Sequence, residues 1–264
     1  VKLLEVEKLS VGIAGKGSVS RDIVHEISFS LDRGEAFGLL GESGTGKTLL
    51  AYSLCGLLIP PLSITAGMIR FAGETLYPGD KKALSRKRGK HIFMMFQSAS
   101  SALNPYLTVG KQIAEAMEAV HGLSYKTALQ RAEMLLERVR LERSVVSAYP
   151  FQLSGGMQQR ILIAIALGLC PEILIADEPT AGLDVVTELN ILELLQDLKA
   201  EGMGILLISH DIMAVSYLAE NIGVMLDGHL VETGETKQVL ASPQNAYTRR
   251  MTEALGDLEV KIEK

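Results

Sequence analysis

The chain has 264 residues, 47% of them apolar and 22% charged, with a formal net charge of −5. This composition fits a folded α/β or mixed protein and excludes a disordered one. The negative balance argues against a nucleic-acid partner, whose capture draws on a basic surface and on counterion release.

Residues 2–9 alternate apolar and charged, which predicts a strand at an exposed sheet edge. A Gly/Ser-rich turn follows around Gly15–Ser20, and 23–31 alternate again through Ile23, Ile27, Phe29 and Leu31. Together they predict a small antiparallel sheet. Ala36–Leu40 is a continuous apolar run, as expected of a parallel strand covered on both faces. It leads into a glycine-rich loop and a helical stretch over 46–58. The basic cluster Lys81, Lys82, Arg86, Lys87, Arg88 and Lys90 follows the turn Pro78-Gly79-Asp80 and reads as a solvated helix start.

Ile92–Phe96 is a further apolar strand. From about 108 to 170 the apolar spacing is helical (Ile113, Met117, Val120; Leu135, Val139), with no strand before Ile173. Ile173–Ala176 and Ile205–Ile208 then read as strands, with an amphipathic helix over 185–200 between them. Alternating strands and helices imply parallel pairing through right-handed crossovers. Residues 221–234 read as a hairpin turning at Asp227-Gly228, followed by a short helical tail. The expected organisation is one domain. Residues 1–96 and 171–264 form an α/β phosphate-loop core, a mixed sheet with an antiparallel N-terminal part. Residues 97–170 form an inserted all-helical lobe.

Cys55 and Cys170 lie in apolar sequence and are expected to be buried and reduced, too few for a disulfide framework. The five histidines show no metal-ligand spacing. No signal-peptide pattern opens the chain. The longest apolar run, Ile161–Cys170, is about half of the ~20 residues that a membrane span needs. A soluble chain is expected, reaching a membrane only through a partner.

The chemistry concentrates in three places. Gly41-Glu42-Ser43-Gly44-Thr45-Gly46-Lys47-Thr48 fits G-x-x-x-x-G-K-[ST]. Gly41, Gly44 and Gly46 let backbone N–H groups curl round phosphate oxygens, with Ser43 and Thr45 between them. Lys47 is placed for the β- and γ-phosphates and Thr48 for Mg²⁺. This predicts a nucleoside triphosphate site. The strand Ile173–Ala176 ends in Asp177 and Glu178, where an acid commonly holds Mg²⁺ and its neighbour can polarise the attacking water. His210 follows the next apolar strand in the same way. Third, Leu153-Ser154-Gly155-Gly156-Met157-Gln158-Gln159-Arg160 combines a Ser N-cap with glycines at a helix start, a second anion site.

The third segment resembles the signature motif of ABC ATPases, normally Leu-Ser-Gly-Gly-Gln. The other motifs follow in that family's order over nearly the whole chain. Gln97 resembles the Q-loop glutamine, a catalytic and Mg²⁺-sensing residue. Gly182-Leu183-Asp184 resembles the D-loop, and His210 the switch histidine. The resemblance implies ATP and Mg²⁺ as ligands, with Asp177, Thr48 and Gln97 on the metal and Glu178, His210 and Gln97 catalytic. It also implies a head-to-tail pair, each ATP lying between the phosphate loop of one subunit and Ser154, Gly155 and Gly156 of the other, with Asp184 at the interface. Met157 replaces the usual signature Gln, Gly182 a more usual Ala, and Ile13 the usual adenine-stacking aromatic.

Ser101-Ala102-Leu103-Asn104-Pro105 and the tail Asn245-Ala246-Tyr247-Thr248-Arg249 are similar to the oligopeptide, dipeptide and nickel importer branch. With Ile13 and no cysteine-bearing segment after the tail, the similarity leans toward nickel or metal-chelate import rather than peptides. The implied partners are a paralogous second ATPase subunit, two transmembrane permeases and, indirectly, a substrate-binding protein, at the cytoplasmic face of the cell membrane. The rival expectation is an ABC ATPase serving a soluble, non-transport complex.

Overall fold

The computed structural model describes residues 2–13, 21–76 and 81–262, with side chains through Ala254 except that of Lys81. The turns expected at Gly15–Ser20 and Pro78-Gly79-Asp80 lie outside the described residues. In chain order the strands are β1 (Leu4–Ile13), β2 (Arg21–Leu31), β3 (Ala36–Leu40), β4 (Leu62–Phe71), β5 (Glu74–Leu76), β6 (Ile92–Met95), β7 (Ile173–Asp177), β8 (Gly204–Ser209), β9 (Asn221–Leu226) and β10 (His229–Glu235). The helices are α1 (Lys47–Leu54), α2 (Lys81–Lys87), α3 (Ala99–Ala102), α4 (Val109–His121), α5 (Tyr125–Arg138), α6 (Gly155–Leu169), α7 (Val185–Ala200), α8 (Ile212–Leu218), α9 (Thr236–Ala241) and α10 (Ala246–Ile262).

Two sheets form. One is antiparallel, in the order β2-β1-β4-β5, and the other runs β10-β9-β3-β8-β7-β6, parallel except for β10. The parallel strands are buried on both sides. Phe37, Leu39, Ile173, Ile175, Leu206 and Ile208 face the antiparallel sheet and α1. Ala36, Leu40, Leu174, Ala176, Ile205 and Leu207 face the helices that follow β6. Double burial is why these strands are continuous apolar runs rather than alternating ones.

Strand β1 corrects one expectation. It is an inner strand, paired with β2 on one side and β4 on the other, not an exposed edge. Alternation reports that one face is buried and says nothing about how many neighbours a strand has. Its charged residues find cross-strand partners, with Arg70 on β4 pairing with both Glu5 and Glu7. The helix after the glycine loop stops at Leu54, short of residue 58, because Gly56 takes a left-handed φ of 63° and closes the terminus. Cys170 is a second correction: it is exposed, at the end of α6 with φ 49°, while Cys55 is buried and its thiol is pushed up to about 12 by desolvation.

Between β6 and β7 the chain is helical, and α4, α5 and α6 pack together, contributing Ile113, Ala114 and Met117, Ala128, Ala132 and Leu136, and Ile161 and Ala164 to one core. This packing is continuous with the helical face of the large sheet. The strand ends decide what comes next. In register, Leu40 lies opposite Ser209 and Val224, and Asp177 opposite Ile208. The chain therefore leaves β3, β7 and β8 along one edge of the sheet, the usual place for ligand groups in parallel α/β sheets.

The approach of α8 to β3 next to this edge is close. A Cβ on Gly38 would stand 2.4 Å from Val215 Cγ1. Gly38→Ala is expected to cost about 1–3 kcal/mol by overpacking, read as a lower denaturant midpoint. Adding Val215→Ala in the same chain should recover part of that loss.

Candidate active site

The glycine loop leaves β3 at Leu40. Gly41 is required by contact, since a Cβ there would meet Met225 O at 2.4 Å. Gly44 and Gly46 have φ of 87° and 100°, values that residues with a Cβ rarely adopt. Helix α1 starts at Lys47 with no side-chain cap, so its first N–H groups remain available to an anion. Lys47 is buried, and its Nζ donates to Gly41 O (2.6 Å) and Glu42 O (2.9 Å). Thr45 Oγ1 also donates to Glu42 O, at 3.0 Å. Burial pulls the Lys47 pKa below its ordinary value, against the opposing pull of Glu178, Asp177 and Glu42. The ammonium is thus held inside its own loop by carbonyl oxygens, which phosphate oxygens can replace.

Asp177 closes β7, and Glu178 turns the chain with φ 49° while its N–H still donates to Ile208 O at 2.9 Å. A non-glycine residue in that region stores strain, as is common at functional sites. Both Glu178 carboxylate oxygens meet His210 Nδ1, at 2.9 and 2.8 Å. The Asp177 carboxyl is pushed above the usual carboxylate range, first by burial and then by the like charge of Glu178, with the Thr48 hydroxyl and Lys47 pulling the other way. Its Oδ1 is buried without a hydrogen-bond partner. An orphaned buried carboxylate oxygen beside a threonine hydroxyl is a hard-oxygen donor set, and it fits a Mg²⁺ ion.

A cleft of about 310 Å³ collects Ser43, Gly44, Gly46, Lys47 and Thr48 with Gln97 and Glu178. His210 joins it through Glu178. Ile23 on β2 forms an apolar wall of the same cleft, a contribution that the alternation of 23–31 did not signal. Ile13 is partly exposed at the end of β1.

Ser154, Gly155 and Gly156 do not line this cleft. Ser154 is exposed and caps α6, its hydroxyl accepting from Met157 N at 3.3 Å. Gly156 is needed by packing, since a Cβ would stand 2.3 Å from Thr187 Cγ2. Asp184 caps α7 by accepting from Thr187 N (3.0 Å) and Thr187 Oγ1 (2.7 Å). The two helix starts therefore sit side by side, with Val185 and Val186 exposed next to them. The chain carries two groups of anion-ready backbone, of which one forms the cleft with Gln97 and Glu178 and the other lies outside it.

The pattern of the ABC transporter family matches residues 24–181. A putative peptide import ATP-binding protein of Brucella abortus (strain 2308) is 41% identical over 265 residues, covering 99% of this chain and 80% of the relative. The dipeptide transport ATP-binding protein DppD of Escherichia coli (strain K12) is 40% identical, covering 96% and 78%. The oligopeptide transport ATP-binding protein OppD of Bacillus subtilis (strain 168) is 38% identical, covering 98% and 73%. Among solved structures, the ATP-binding cassette MJ0796, a dimer in a post-hydrolysis state bound to ADP and Pi, matches with a TM-score of 0.77 and 26% identity, covering 88% of this chain and 98% of that one. CbiO1 of Clostridium perfringens, part of the ABC transporter complex cbiONQ, matches with the same TM-score and identity, covering 100% and 99%.

The raised pKa of Asp177 has a stability consequence. The folded chain holds this proton more tightly than the unfolded chain. Stability is therefore greatest below the unfolded value and falls as pH rises through the folded one. Wherever the carboxylate is ionised, its burial destabilises the protein. Asp177→Asn is expected to stabilise it by about 1–2 kcal/mol. The same variant should lose the extra thermal stabilisation that Mg²⁺ adds to ATP, read by melting with and without a chelator.

Proposed function

The chain belongs to the ABC transporter family as an ATP-binding, ATP-hydrolysing subunit, and from that premise we propose that it powers import of short peptides through two transmembrane permeases, docked at the cytoplasmic face of the cell membrane. The observation that carries the proposal is the division of the anion sites. Ser43, Gly44 and Gly46–Thr48 form a cleft with Gln97 and Glu178, and Ser154, Gly155 and Gly156 stand outside it, Ser154 and Gly155 exposed and Gly156 packed against Thr187. One nucleotide can use both kinds of site only when two subunits face each other. The dimeric state named for the MJ0796 cassette supports this arrangement. Among the described residues no helix is long and apolar enough to cross a membrane, and the proposal assigns the crossing to the permeases. The second ATPase subunit is taken to be a paralogue, with a substrate-binding protein delivering the cargo. Peptides replace the nickel or metal-chelate preference drawn from Ile13 and the tail, because the three relatives named above carry peptide names.

In the proposed reaction, ATP phosphates enter the loop, and Lys47 exchanges Gly41 O and Glu42 O for phosphate oxygens. Asp177, Thr48 and Gln97 would hold Mg²⁺, which when bound supplies positive charge against the β- and γ-phosphate oxygens. Glu178 takes a proton from water as the water oxygen attacks the γ-phosphorus. The bond from that phosphorus to the bridging oxygen breaks, and ADP leaves with the electron pair. His210 holds the Glu178 carboxylate in orientation, and Gln97 positions the water from the end of β6. Asp184 lies at the junction of the two subunits, and this chain's Ser154, Gly155 and Gly156 serve the second subunit's nucleotide. Residues 97–170 act as the lobe that passes dimer opening on to the permeases, while 1–96 and 171–264 form the hydrolytic core.

Glu178→Gln is expected to keep ATP binding and lower turnover by about a hundredfold or more, and near-normal hydrolysis would overturn the role given to Glu178. Lys47→Ala is expected to abolish nucleotide binding, measured by calorimetry. Capture of the tagged chain from detergent-solubilised membranes, with partners identified by mass spectrometry, tests the assembly. Two multi-span permeases with a second ATPase and a peptide-binding protein are expected. A metal-binding protein in that place would restore the nickel reading, and recovery with soluble proteins alone would favour the non-transport reading.

A further inference from the structure

The tail segment Asn245-Ala246-Tyr247-Thr248-Arg249 has no place in the reaction described above, yet it is fastened at both ends. The Glu232 carboxylate on β10 accepts from Gln244 N (2.8 Å) and Asn245 N (3.1 Å). Asn245 Oδ1 accepts from Tyr247 N at 2.8 Å, which fixes the first turn of α10. Tyr247 is then buried, 6% exposed, within the helical-side core. Its hydroxyl accepts a hydrogen bond from the backbone N–H of Glu42, at 3.1 Å. Residues 205 positions apart are joined, and the one nearer the N-terminus is the second residue of the phosphate loop.

The loop is also held at its far side, where Gly228 N in the β9–β10 turn donates to Thr45 O at 3.1 Å. Ser43 and Gly44 lie between these two fastenings and remain exposed. A phosphate cradle works best when its N–H groups point inward before the anion arrives, since ordering the loop on binding subtracts from affinity. Beyond Tyr247, a cleft of about 720 Å³ lies between Arg250 and Met251 of α10 and His210 and Ile212 of the core. Tyr247 and Glu42 both line that cleft, and Tyr247 bridges the start of α10 directly to the loop.

We propose that Tyr247 is a positioning residue for ATP binding, its hydroxyl pinning the Glu42 N–H so that the phosphate loop is preorganised. The inference rests on the reading of Gly41–Thr48 as the nucleotide site. Tyr247→Phe keeps the ring in the core and removes the oxygen. It is expected to weaken ATP about three- to tenfold, the usual effect of one hydrogen bond, seen both in KM and in direct binding of a non-hydrolysable ATP analogue, with kcat within about twofold. Arg250→Ala, which removes the cation stacked 5.9 Å from the Tyr247 ring but leaves the hydroxyl, should not move KM.

Asn245→Ala loosens the same turn of α10 from a less buried position and should weaken ATP in the same direction, which covers the case of an insoluble Tyr247→Phe. Unchanged affinity in whichever of these two variants folds would overturn the proposal. So would a lowered melting temperature with apparent kcat reduced in proportion to the fraction unfolded and KM unchanged, since that is the mark of general support. Lys47→Ala is run beside them. If it binds ATP normally, the fault lies with the nucleotide site as assigned and not with Tyr247 alone.

Discussion

Everything functional in this chain hangs on a parallel sheet buried on both faces. Such strands cannot carry polar side chains along their length, because an unpaired polar group there costs several kcal/mol. Polar chemistry is displaced to the points where the chain leaves the sheet. Gly41 follows β3, Gln97 comes two residues after β6, Glu178 follows β7 and His210 follows β8. The shared register of these strands brings four segments, far apart in sequence, to one edge. The gathering of these candidate site residues is therefore a consequence of how the core is packed.

At that edge the electrostatics are strained in a useful direction. Lys47 and Asp177 are both desolvated, and each is shifted toward its neutral form by burial. The loop compensates by lending Lys47 two backbone carbonyls, and Glu178 by engaging His210. Asp177 keeps an oxygen with nothing to accept from. A polyphosphate with a divalent cation would relieve each of these groups together, which is the physical sense in which the ligand-free site is poised.

The second anion site obeys the same local rules but a different geometry. Ser154 and Asp184 are ordinary N-caps, and Gly156 is dictated by the approach of Thr187. They lie outside the cleft, beside exposed Val185 and Val186, where the proposed head-to-tail pairing would use them. The tail repeats the theme in reverse. Tyr247 is remote in sequence from the phosphate loop and touches its backbone directly.

By itself, the sequence determined the elements whose signal is local. The helix over 185–200, the hairpin turning at Asp227-Gly228, the doubly buried strands and the glycine loop all follow from periodicity, turn chemistry and φ preference, which act within a few residues. It also determined the family resemblance, since the motifs stand in that family's order. Tertiary structure decided what depends on neighbours. Alternation in β1 could not distinguish an edge from an inner strand, because pairing partners lie elsewhere in the chain. Apolar sequence around Cys170 could not tell that α6 ends there and turns it outward. Nor could spacing reveal that Ile23 walls the cleft or that Tyr247 meets Glu42. Burial and long-range hydrogen bonds are properties of the packed whole, and no window along the chain contains them.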